Sequence, residues 1–263
     1  MQDKEIIHLY ENKNQWVTAA IDKIVVELFN RKTNAEMQSI ALFGASPLAG
    51  STTTSIDLAI AMAATGRKIL LVDCDVRKAA QYKKLNDSIK DGLADYLLQG
   101  EEQAVKLDDI VYNTNVDGLF YVPCGSYTKN STRVMCSTKM QPLMKEFGEY
   151  FDYVIYDLPS VSVVPDAQVL FQYVDDIVLL VALGETRKKQ IKDAKRKIAP
   201  FSEKYCGMII NKIAPDMYKR RVKEFDYYLS DRRGEQKLGG ASTRKKYKKK
   251  AETNRRNHHE EEK

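Results

Sequence analysis

A loop of small residues between two apolar segments constrains this chain more than any other feature of its sequence. Residues 39–43 have the composition of a buried strand, and residues 53–65 carry apolar side chains at helical spacing. The segment between them, residues 44–53, is rich in Gly, Ala, Ser and Thr. In this strand–loop–helix setting, backbone N–H groups at the helix N-terminus bind polyphosphate. The segment therefore predicts a phosphate-binding loop.

The loop departs from the usual pattern, G/A-x-x-x-x-G-K-[ST], at the position that most often defines it. Ala45 takes the first position, Gly50 the glycine, and Thr52 the hydroxyl that binds magnesium. Ser51 stands where the pattern has lysine. Whether the chain can bind and use a nucleotide therefore depends on how well the loop functions without this lysine.

Apolar strand-like runs alternate with helical stretches, which favours an α/β fold. Strands of this apolar density are typical of a mostly parallel sheet with helices on both faces. We predict strands at residues 39–44, 68–75, 118–124, 152–157, 176–183 and 206–212, and helices at 16–29, 52–65, 132–148 and 186–199. On this interpretation an N-terminal helical segment, residues 1–35, precedes one domain at residues 36–230.

The net charge of +6 comes entirely from the last part of the chain. Residues 231–263 hold 12 of the 42 basic and 6 of the 36 acidic residues, so the remainder, with 30 of each, is neutral. This distribution argues against a nucleic-acid-binding protein. The tail has too few apolar residues to offset its ordering entropy, and we expect it to be disordered. It then either keeps the chain soluble or touches an anionic membrane or partner.

The sequence predicts a cytoplasmic protein. Its four cysteines form no C-x-x-C pair and have no histidines at metal-binding spacing. Met1 is followed by polar residues rather than by an apolar leader, and the apolar runs near 58–64 and 177–183 are too short to span a bilayer. Recruitment to the inner face of the membrane through a partner stays compatible with this prediction.

Acidic residues end two of the predicted strands. Asp73 and Asp75 follow the second strand, and Asp157 ends a later one. Ligands of open parallel sheets bind beyond the carboxyl ends of the strands, so these carboxylates should lie at the same edge as the loop. A hydroxyl such as that of Thr52 and one or two carboxylates can hold a hydrated Mg²⁺, while another carboxylate accepts a substrate proton. The sequence therefore predicts a magnesium–phosphate site.

Taken together, these motifs resemble those of the bacterial tyrosine kinases (BY-kinases) of capsular and exopolysaccharide biosynthesis, of the CpsD/CapB type. The resemblance covers about residues 36–215. Besides the loop, it rests on Asp73-x-Asp75-x-Arg77, Asp157-x-Pro159, Gly92-Leu93-Ala94-Asp95-Tyr96-Leu97, Val163-Val164-Pro165-Asp166-Ala167, Gly184 and Asn211-Lys212. It implies a P-loop NTPase-like fold of the MinD/ParA type. The D-x-D-x-R motif and the absence of an early loop lysine distinguish the chain from the partitioning ATPases that share this fold.

The resemblance also implies a role for each residue of the predicted site, with ATP and Mg²⁺ as cofactors. Thr52 would bind Mg²⁺ directly, and Asp73 and Asp157 would act through its water ligands. Asp75 would accept the tyrosine proton, and Arg77 would belong to the same site or to an intersubunit contact. The nucleotide phosphates would be held by the backbone N–H groups of Ala49, Gly50, Ser51, Thr52 and Thr53.

Members of this family phosphorylate tyrosines near their own C-terminus, within a ring-like oligomer, and are activated by a membrane-bound modulator protein. In this chain Tyr227 and Tyr228 are the best phosphoacceptor candidates, and an aromatic pair at a helix end is the alternative. The early helix lacks the family's E-x-x-R-x-x-R oligomerisation pattern, because residues 18–29 offer only Asp22, Lys23 and Glu27. Self-association would therefore need other contacts.

Three functions are compatible with the altered loop. The first is a tyrosine autokinase of reduced activity, in which another basic group replaces the missing lysine; the candidates are Lys68, Arg77, Lys78 and a partner's basic residue. The second is a pseudokinase or scaffold of the same machinery, and the third is a ParA/MinD-like ATPase, against which the D-x-D-x-R motif argues. Leu48 is a further departure, since the family has glycine there. A left-handed backbone at that position would cost about 1–2 kcal/mol.

Overall fold

The computed structural model describes residues 6–31, 38–77, 91–99, 105–162, 165–214 and 216–217. The chain divides into two compact units, Met1–Ile213 and Ala214–Lys263, and every helix and strand named below belongs to the first. The phosphoacceptor candidates Tyr227 and Tyr228, the basic tail and the predicted domain boundaries near residues 35 and 230 lie outside the described residues. They stay predictions.

A seven-stranded sheet forms the centre of the first unit. Its strands are β1 (Gln38–Gly44), β2 (Ile69–Asp73), β3 (Tyr112–Asn113), β4 (Leu119–Val122), β5 (Tyr153–Leu158), β6 (Asp176–Ala182) and β7 (Tyr205–Asn211). Their order is β3-β4-β2-β5-β1-β6-β7, and all neighbours are parallel except β3 and β4. The prediction of a mostly parallel sheet is confirmed. All the predicted strands are present, and among the described residues the sequence pattern missed only the short β3.

Helices cover both faces of the sheet. They are α1 (Gln15–Asn30), α2 (Ser51–Ala63), α3 (Leu93–Leu98), α4 (Leu107–Ile110), α5 (Ser131–Met135), α6 (Met140–Tyr150) and α7 (Lys188–Ile198), with 3₁₀ segments at Pro165–Gln172 and Ala199–Lys204. The single helix predicted at residues 132–148 is wrong, since α5 and α6 are separate. Between them the Ser137 hydroxyl accepts a hydrogen bond from the Lys139 N–H at 3.3 Å, a local contact that competes with helical hydrogen bonding. Within the described segments, no helix has both the length and the apolar character needed to cross a membrane.

The central strands are buried because alternate residues face two separate cores. On β1, Ile40 and Leu42 face the core shared with α1 and α2. Ala41 and Phe43 face the opposite core, which includes residues of α3, α5, α6 and α7. All four side chains are fully buried. Strands covered on both sides are continuous apolar runs, and for this reason the sequence located them well.

Helix α1 packs the N-terminal part of the chain against the core that contains Ile40 and Leu42. Its buried residues, Ile21, Val25 and Leu28, lie on one face of the helix. The side chain of Asn14 accepts a hydrogen bond from the Trp16 N–H at 3.0 Å and caps the helix N-terminus. The helix is therefore specified both by its apolar face and by its cap.

We predict that Phe171→Ala strongly destabilises the first unit. The Phe171 side chain is fully buried, and its ring centroid lies 5.0 Å from that of Phe43 and 5.9 Å from that of Phe201. Removing the ring should lower the free energy of unfolding by about 3–5 kcal/mol, measured by urea denaturation. Tyr173→Ala, at a position 36% exposed, is the control and should cost less than about 1 kcal/mol. Equal effects of the two substitutions would contradict this packing.

Candidate functional site

Two carboxylates lie side by side at the carboxyl edge of the sheet. Asp73 ends β2, Asp157 lies in β5, and the two residues are direct partners in the parallel ladder. Both side chains point toward α2, because Leu71 and Ile155, two positions earlier on the same strands, belong to the α1/α2 core. Asp73 is 1% exposed and Asp157 is 3% exposed. Because β5 also pairs with β1, the carboxylates lie next to the strand that leads into the loop.

The loop between β1 and α2 has the backbone form of a phosphate-binding loop. Gly50, the N-cap of α2, is left-handed with φ of 93°, and it has no side chain that could cap the helix. The first N–H groups of α2, from Ser51 to Thr53, are thus left to bind an anion. Gly44 is also required, since a Cβ there would lie 2.7 Å from the Ser46 carbonyl oxygen. The residues present therefore fit a polyphosphate group.

Strands β6 and β7 hold the loop in place. The N–H group of Ala45 donates to the Leu180 carbonyl of β6 at 2.8 Å. At the end of β7, Asn211 Nδ2 donates to the Ala49 carbonyl at 3.0 Å. The same amide group lies where a Cβ on Gly50 would project, so a larger residue at Gly50 would displace it. Asn211 therefore fixes the loop immediately before α2.

A second contact holds the first half of the loop. Thr186 Oγ1 lies 2.9 Å from Ser46 Oγ and accepts a hydrogen bond from the Ala182 N–H at 2.9 Å. The sequence predicted neither Thr186 nor Asn211 as a site residue. Asn211-Lys212 was recognised only as a motif without a role, whereas a threonine in a turn carries no signal of a long-range contact.

Each of the paired carboxylates receives hydrogen bonds that sequence reasoning did not predict. Asp73 accepts from the Asp75 N–H at 3.0 Å and from the Tyr121 hydroxyl at 3.3 Å. Asp157 accepts from Ser55 Oγ at 3.3 Å. Burial raises the pKa of Tyr121 well above its usual value, and the negative charge of Asp73 raises it further. Tyr121 therefore stays a neutral hydrogen-bond donor to Asp73 at physiological pH.

The side chains at this site can hold Mg²⁺ only if phosphate oxygens and water molecules complete its coordination. Among the residues that the structure describes, no three Asp, Glu, His or Cys side chains are grouped as a metal site, so Asp75 does not join Asp73 and Asp157 as a third ligand. In phosphate-binding sites Mg²⁺ keeps several waters and takes one or two carboxylates plus the phosphates of the substrate. The adjacent carboxylates and Thr52, half-buried in the first turn of α2, provide the groups that such an ion needs.

Each described candidate for replacing the loop lysine either lies at the opposite edge of the sheet or donates a hydrogen bond to another residue. Lys68 precedes β2 and thus lies at the amino edge of the sheet, about 15 Å from the carboxyl edge, so the hypothesis that it replaces the lysine is wrong. Arg77 is exposed at the carboxyl edge, and its Nε donates to Ser131 Oγ at 2.6 Å. Lys212, which follows β7 and was not predicted as a replacement, is paired with Glu185 at 2.6 Å. Lys78 lies outside the described residues.

Leu48 is exposed and held in a left-handed backbone conformation. Its φ is 59°, and its side chain is 84% exposed. The residue therefore carries the conformational cost that glycine would avoid, while its side chain gains little from burial. Because the side chain points into solvent, it does not fill the space between the loop and the carboxylates.

We predict that Leu48→Gly raises the free energy of unfolding by about 1 kcal/mol, because it relieves the left-handed strain. Leu48→Ala is the matched control, since it removes the same apolar atoms but keeps the Cβ that causes the strain. It should change stability by less than about 0.5 kcal/mol. Chemical denaturation of the two variants measures the difference, and equal stabilities would show that the backbone is not strained.

A separate cavity of about 150 Å³ lies between α1 and α2. Its polar lining includes Glu11, Asn12, Asp22 and Asp57, and none of its lining residues belongs to the loop. Burial raises the pKa of Asp57, although a hydrogen bond with Asn12 opposes this effect. The cavity is distinct from the site built on the loop and the paired carboxylates.

The comparisons with known proteins assign this fold and loop to a class. Residues 49–255 match the CobQ/CobB/MinD/ParA nucleotide binding domain. The kinase domain of the Escherichia coli tyrosine kinase ETK has a similar fold, with a TM-score of 0.68 and 22% sequence identity over 75% of this chain and 76% of that one. The protein is therefore a nucleotide-binding α/β domain of the MinD/ParA type.

Two curated relatives narrow the assignment. The tyrosine-protein kinase CpsD of Streptococcus pneumoniae serotype 4 is 31% identical over 179 residues, which is 68% of this chain and 77% of that protein. The tyrosine-protein kinase YwqD of Bacillus subtilis is 31% identical over 176 residues, or 67% of this chain and 73% of that protein. The chain belongs to the CpsD family of bacterial tyrosine-protein kinases, and the resemblance seen in the sequence motifs is confirmed.

Proposed function

We propose that this protein is a tyrosine autokinase of capsular or exopolysaccharide biosynthesis whose activity is reduced by the loss of the loop lysine. One observation carries the proposal: Asp73 and Asp157 are paired and buried next to the loop that leads into α2. The names of the relatives support the reaction class, because CpsD and YwqD are both described as tyrosine-protein kinases. The retained hydroxyl and carboxylates support binding of a metal–nucleotide complex.

The residues of the site have separate tasks in this proposal. Backbone N–H groups from Ala49 to Thr53 hold the nucleotide phosphates. Thr52, Asp73 and Asp157 hold Mg²⁺, which neutralises phosphate charge when it is bound. Asp75 accepts the proton of the attacking tyrosine hydroxyl. ATP supplies the phosphoryl group, and Arg77 at the same edge of the sheet binds anionic groups of the substrate or of a neighbouring subunit.

A pseudokinase or scaffold of the same machinery is the alternative, and Ser51 is the observation that favours it. The lysine that is missing would form a charge-assisted contact worth roughly 1.5–3 kcal/mol, or about 10- to 150-fold in binding. The described candidates for replacing it lie at the other edge of the sheet or already have partners. A ParA/MinD-like ATPase is the weakest of the three candidates, because the relatives named above are kinases.

The cellular setting follows from the same proposal. The protein acts in the cytoplasm and is recruited to the inner face of the membrane by a membrane-bound modulator of polysaccharide synthesis. Tyr227 and Tyr228 are the proposed phosphoacceptors, presented to a second copy of the chain. Self-association cannot rely on the family's charged pattern in α1, where Asp22, Lys23 and Glu27 are exposed.

We predict that Ser51→Lys increases the affinity for Mg-ATP by about 10- to 150-fold, because it restores the cation beside the phosphates. Isothermal titration calorimetry of wild type and variant measures this change, with Ser51→Ala as the uncharged control that should gain nothing. Micromolar binding by wild type, followed by phosphotyrosine at Tyr227 or Tyr228, would exclude the pseudokinase alternative. Absence of Mg-ATP binding in both wild type and Ser51→Lys would overturn the nucleotide site itself.

We predict that Asp75→Asn lowers phosphotransfer at least about 100-fold and leaves nucleotide affinity within about twofold, as expected for loss of a general base. The substitution is best made in the Ser51→Lys background, and radiolabel transfer and calorimetry are the two measurements. Asp117→Asn, at an exposed position, is the control and should change neither quantity. Parallel loss of affinity and transfer would show that Asp75 binds the nucleotide instead.

A further inference from the structure

Helix α7 and the residue before it form the most strongly charged segment of the described structure. Residues 187–197 contain seven Lys or Arg residues and a single acidic residue, Asp193. Residues 1–230 contain equal numbers of basic and acidic residues, so this concentration of positive charge is local. Asp193 neutralises little of this positive charge, because its side chain pairs with only one of the seven basic residues, Arg196, at 3.0 Å.

The charge lies on the outer face of the helix. Ala194 and Ile198 are buried in the core of the sheet, and Ile191 packs against the same core. The opposite face is exposed and basic, and we refer to it as the α7 basic face; it consists of Arg187, Lys188, Lys189, Lys192, Lys195 and Arg196. Lys197 is directed elsewhere, since its ammonium group hydrogen-bonds the Val161 carbonyl.

Part of this arrangement opposes the stability of the helix itself. Lys188 and Lys189 occupy the first turn, where the helix dipole is positive and acidic residues would be favourable. Lys188 and Lys192 are four residues apart, as are Lys192 and Arg196, and like charges at that spacing repel each other. The basic residues of the last turn, such as Lys195 and Arg196, are favoured by the helix dipole. Folding therefore gains little from Lys188, Lys189 and Lys192, whereas an anionic surface would stabilise the whole α7 basic face.

Exposed apolar side chains lie on the same side of the sheet as the α7 basic face. Met208 and Ile210 of β7 are 40% and 47% exposed. They pair in register with Leu179 and Val181 of β6, which belong to the core beneath α7. Parallel partners in register point to the same face of a sheet, so the apolar pair is on the α7 side. In the described part of the chain, β7 is one of the two edge strands of the sheet.

We propose that the α7 basic face, with the apolar pair on the same side of the sheet, docks on an anionic phospholipid surface. A lipid interface takes both kinds of side chain, since lysines contact the headgroup phosphates while apolar residues enter the boundary region. Single-stranded nucleic acid is the less suitable ligand, because the α7 basic face has no aromatic side chain on which a base could stack. Its charges are also mainly lysines, which attract anions without the bidentate geometry of arginine.

The α7 basic face lies next to the phosphate-binding loop. Thr186, the residue immediately before Arg187, contacts Ser46 of the loop. A membrane bound to α7 would therefore lie close to the edge of the sheet that carries the loop. This inference does not depend on catalysis, because it concerns residues outside the proposed kinase machinery.

Vesicle flotation with the full-length protein tests the proposal. Vesicles of phosphatidylglycerol and phosphatidylcholine are compared with vesicles of phosphatidylcholine alone. The variant carries Lys188→Gln, Lys189→Gln, Lys192→Gln and Lys195→Gln, and the control carries Lys245→Gln, Lys246→Gln, Lys248→Gln and Lys249→Gln in the tail. Both change the net charge equally, so that only the position of the lost charge differs. Circular dichroism establishes that the α7 variant is folded.

We expect wild type to bind the anionic vesicles and not the neutral ones, with an affinity that falls as salt is added. The α7 variant should lose about 100-fold in partition coefficient, and the tail control should lose much less. An α7 variant that binds as well as the tail control would overturn the proposal. So would tighter binding of wild type to a short DNA duplex than to vesicles, because this result would assign the surface to nucleic acid.

Discussion

The site depends on the burial of two like charges at adjacent positions of one sheet. Asp73 and Asp157 are ladder partners with almost no solvent exposure, and two carboxylates in that position repel each other without water to screen them. Hydrogen bonds from Tyr121, Ser55 and the Asp75 N–H offset part of this cost. A divalent cation beside the phosphate loop would offset much more. The proposed binding of Mg²⁺ therefore gives a physical reason for a feature that would otherwise only destabilise the fold.

The loop has the backbone form of a phosphate-binding loop although it lacks the positively charged lysine. Gly50 keeps the left-handed conformation, and Asn211 and Thr186 hold the two halves of the loop in place. These contacts involve backbone and neutral side chains, so the replacement of lysine by Ser51 leaves them unchanged. In the proposed function the cost of that replacement falls on nucleotide affinity and phosphoryl transfer, because there the positive charge is needed. On this proposal the protein keeps its fold while its catalysis weakens.

Proximity to a membrane would matter more for an enzyme with the reduced activity that we propose. The α7 basic face lies beyond β6 and next to the turn that contacts the loop. A surface that concentrates the protein near a membrane-bound partner raises the effective concentration of that partner without changing the site. Leu48 and Leu183, 84% and 41% exposed, lie at the same carboxyl edge of the sheet and add apolar area there.

The amino-acid sequence by itself determined the strands, the loop and the order of the acidic residues, because these depend on local composition and spacing. Doubly covered strands such as β1 must be continuously apolar, and parallel strands must place Asp73 and Asp157 at one edge. Only the tertiary structure decided which groups meet there. Tyr121, Ser55, Asn211 and Thr186 come from four separate segments, and nothing in their local sequence marks a contact made by packing. For the same reason Lys68 was a poor candidate for replacing the loop lysine. It precedes β2, which Asp73 ends, so the two residues are close in sequence but lie at opposite edges of the sheet.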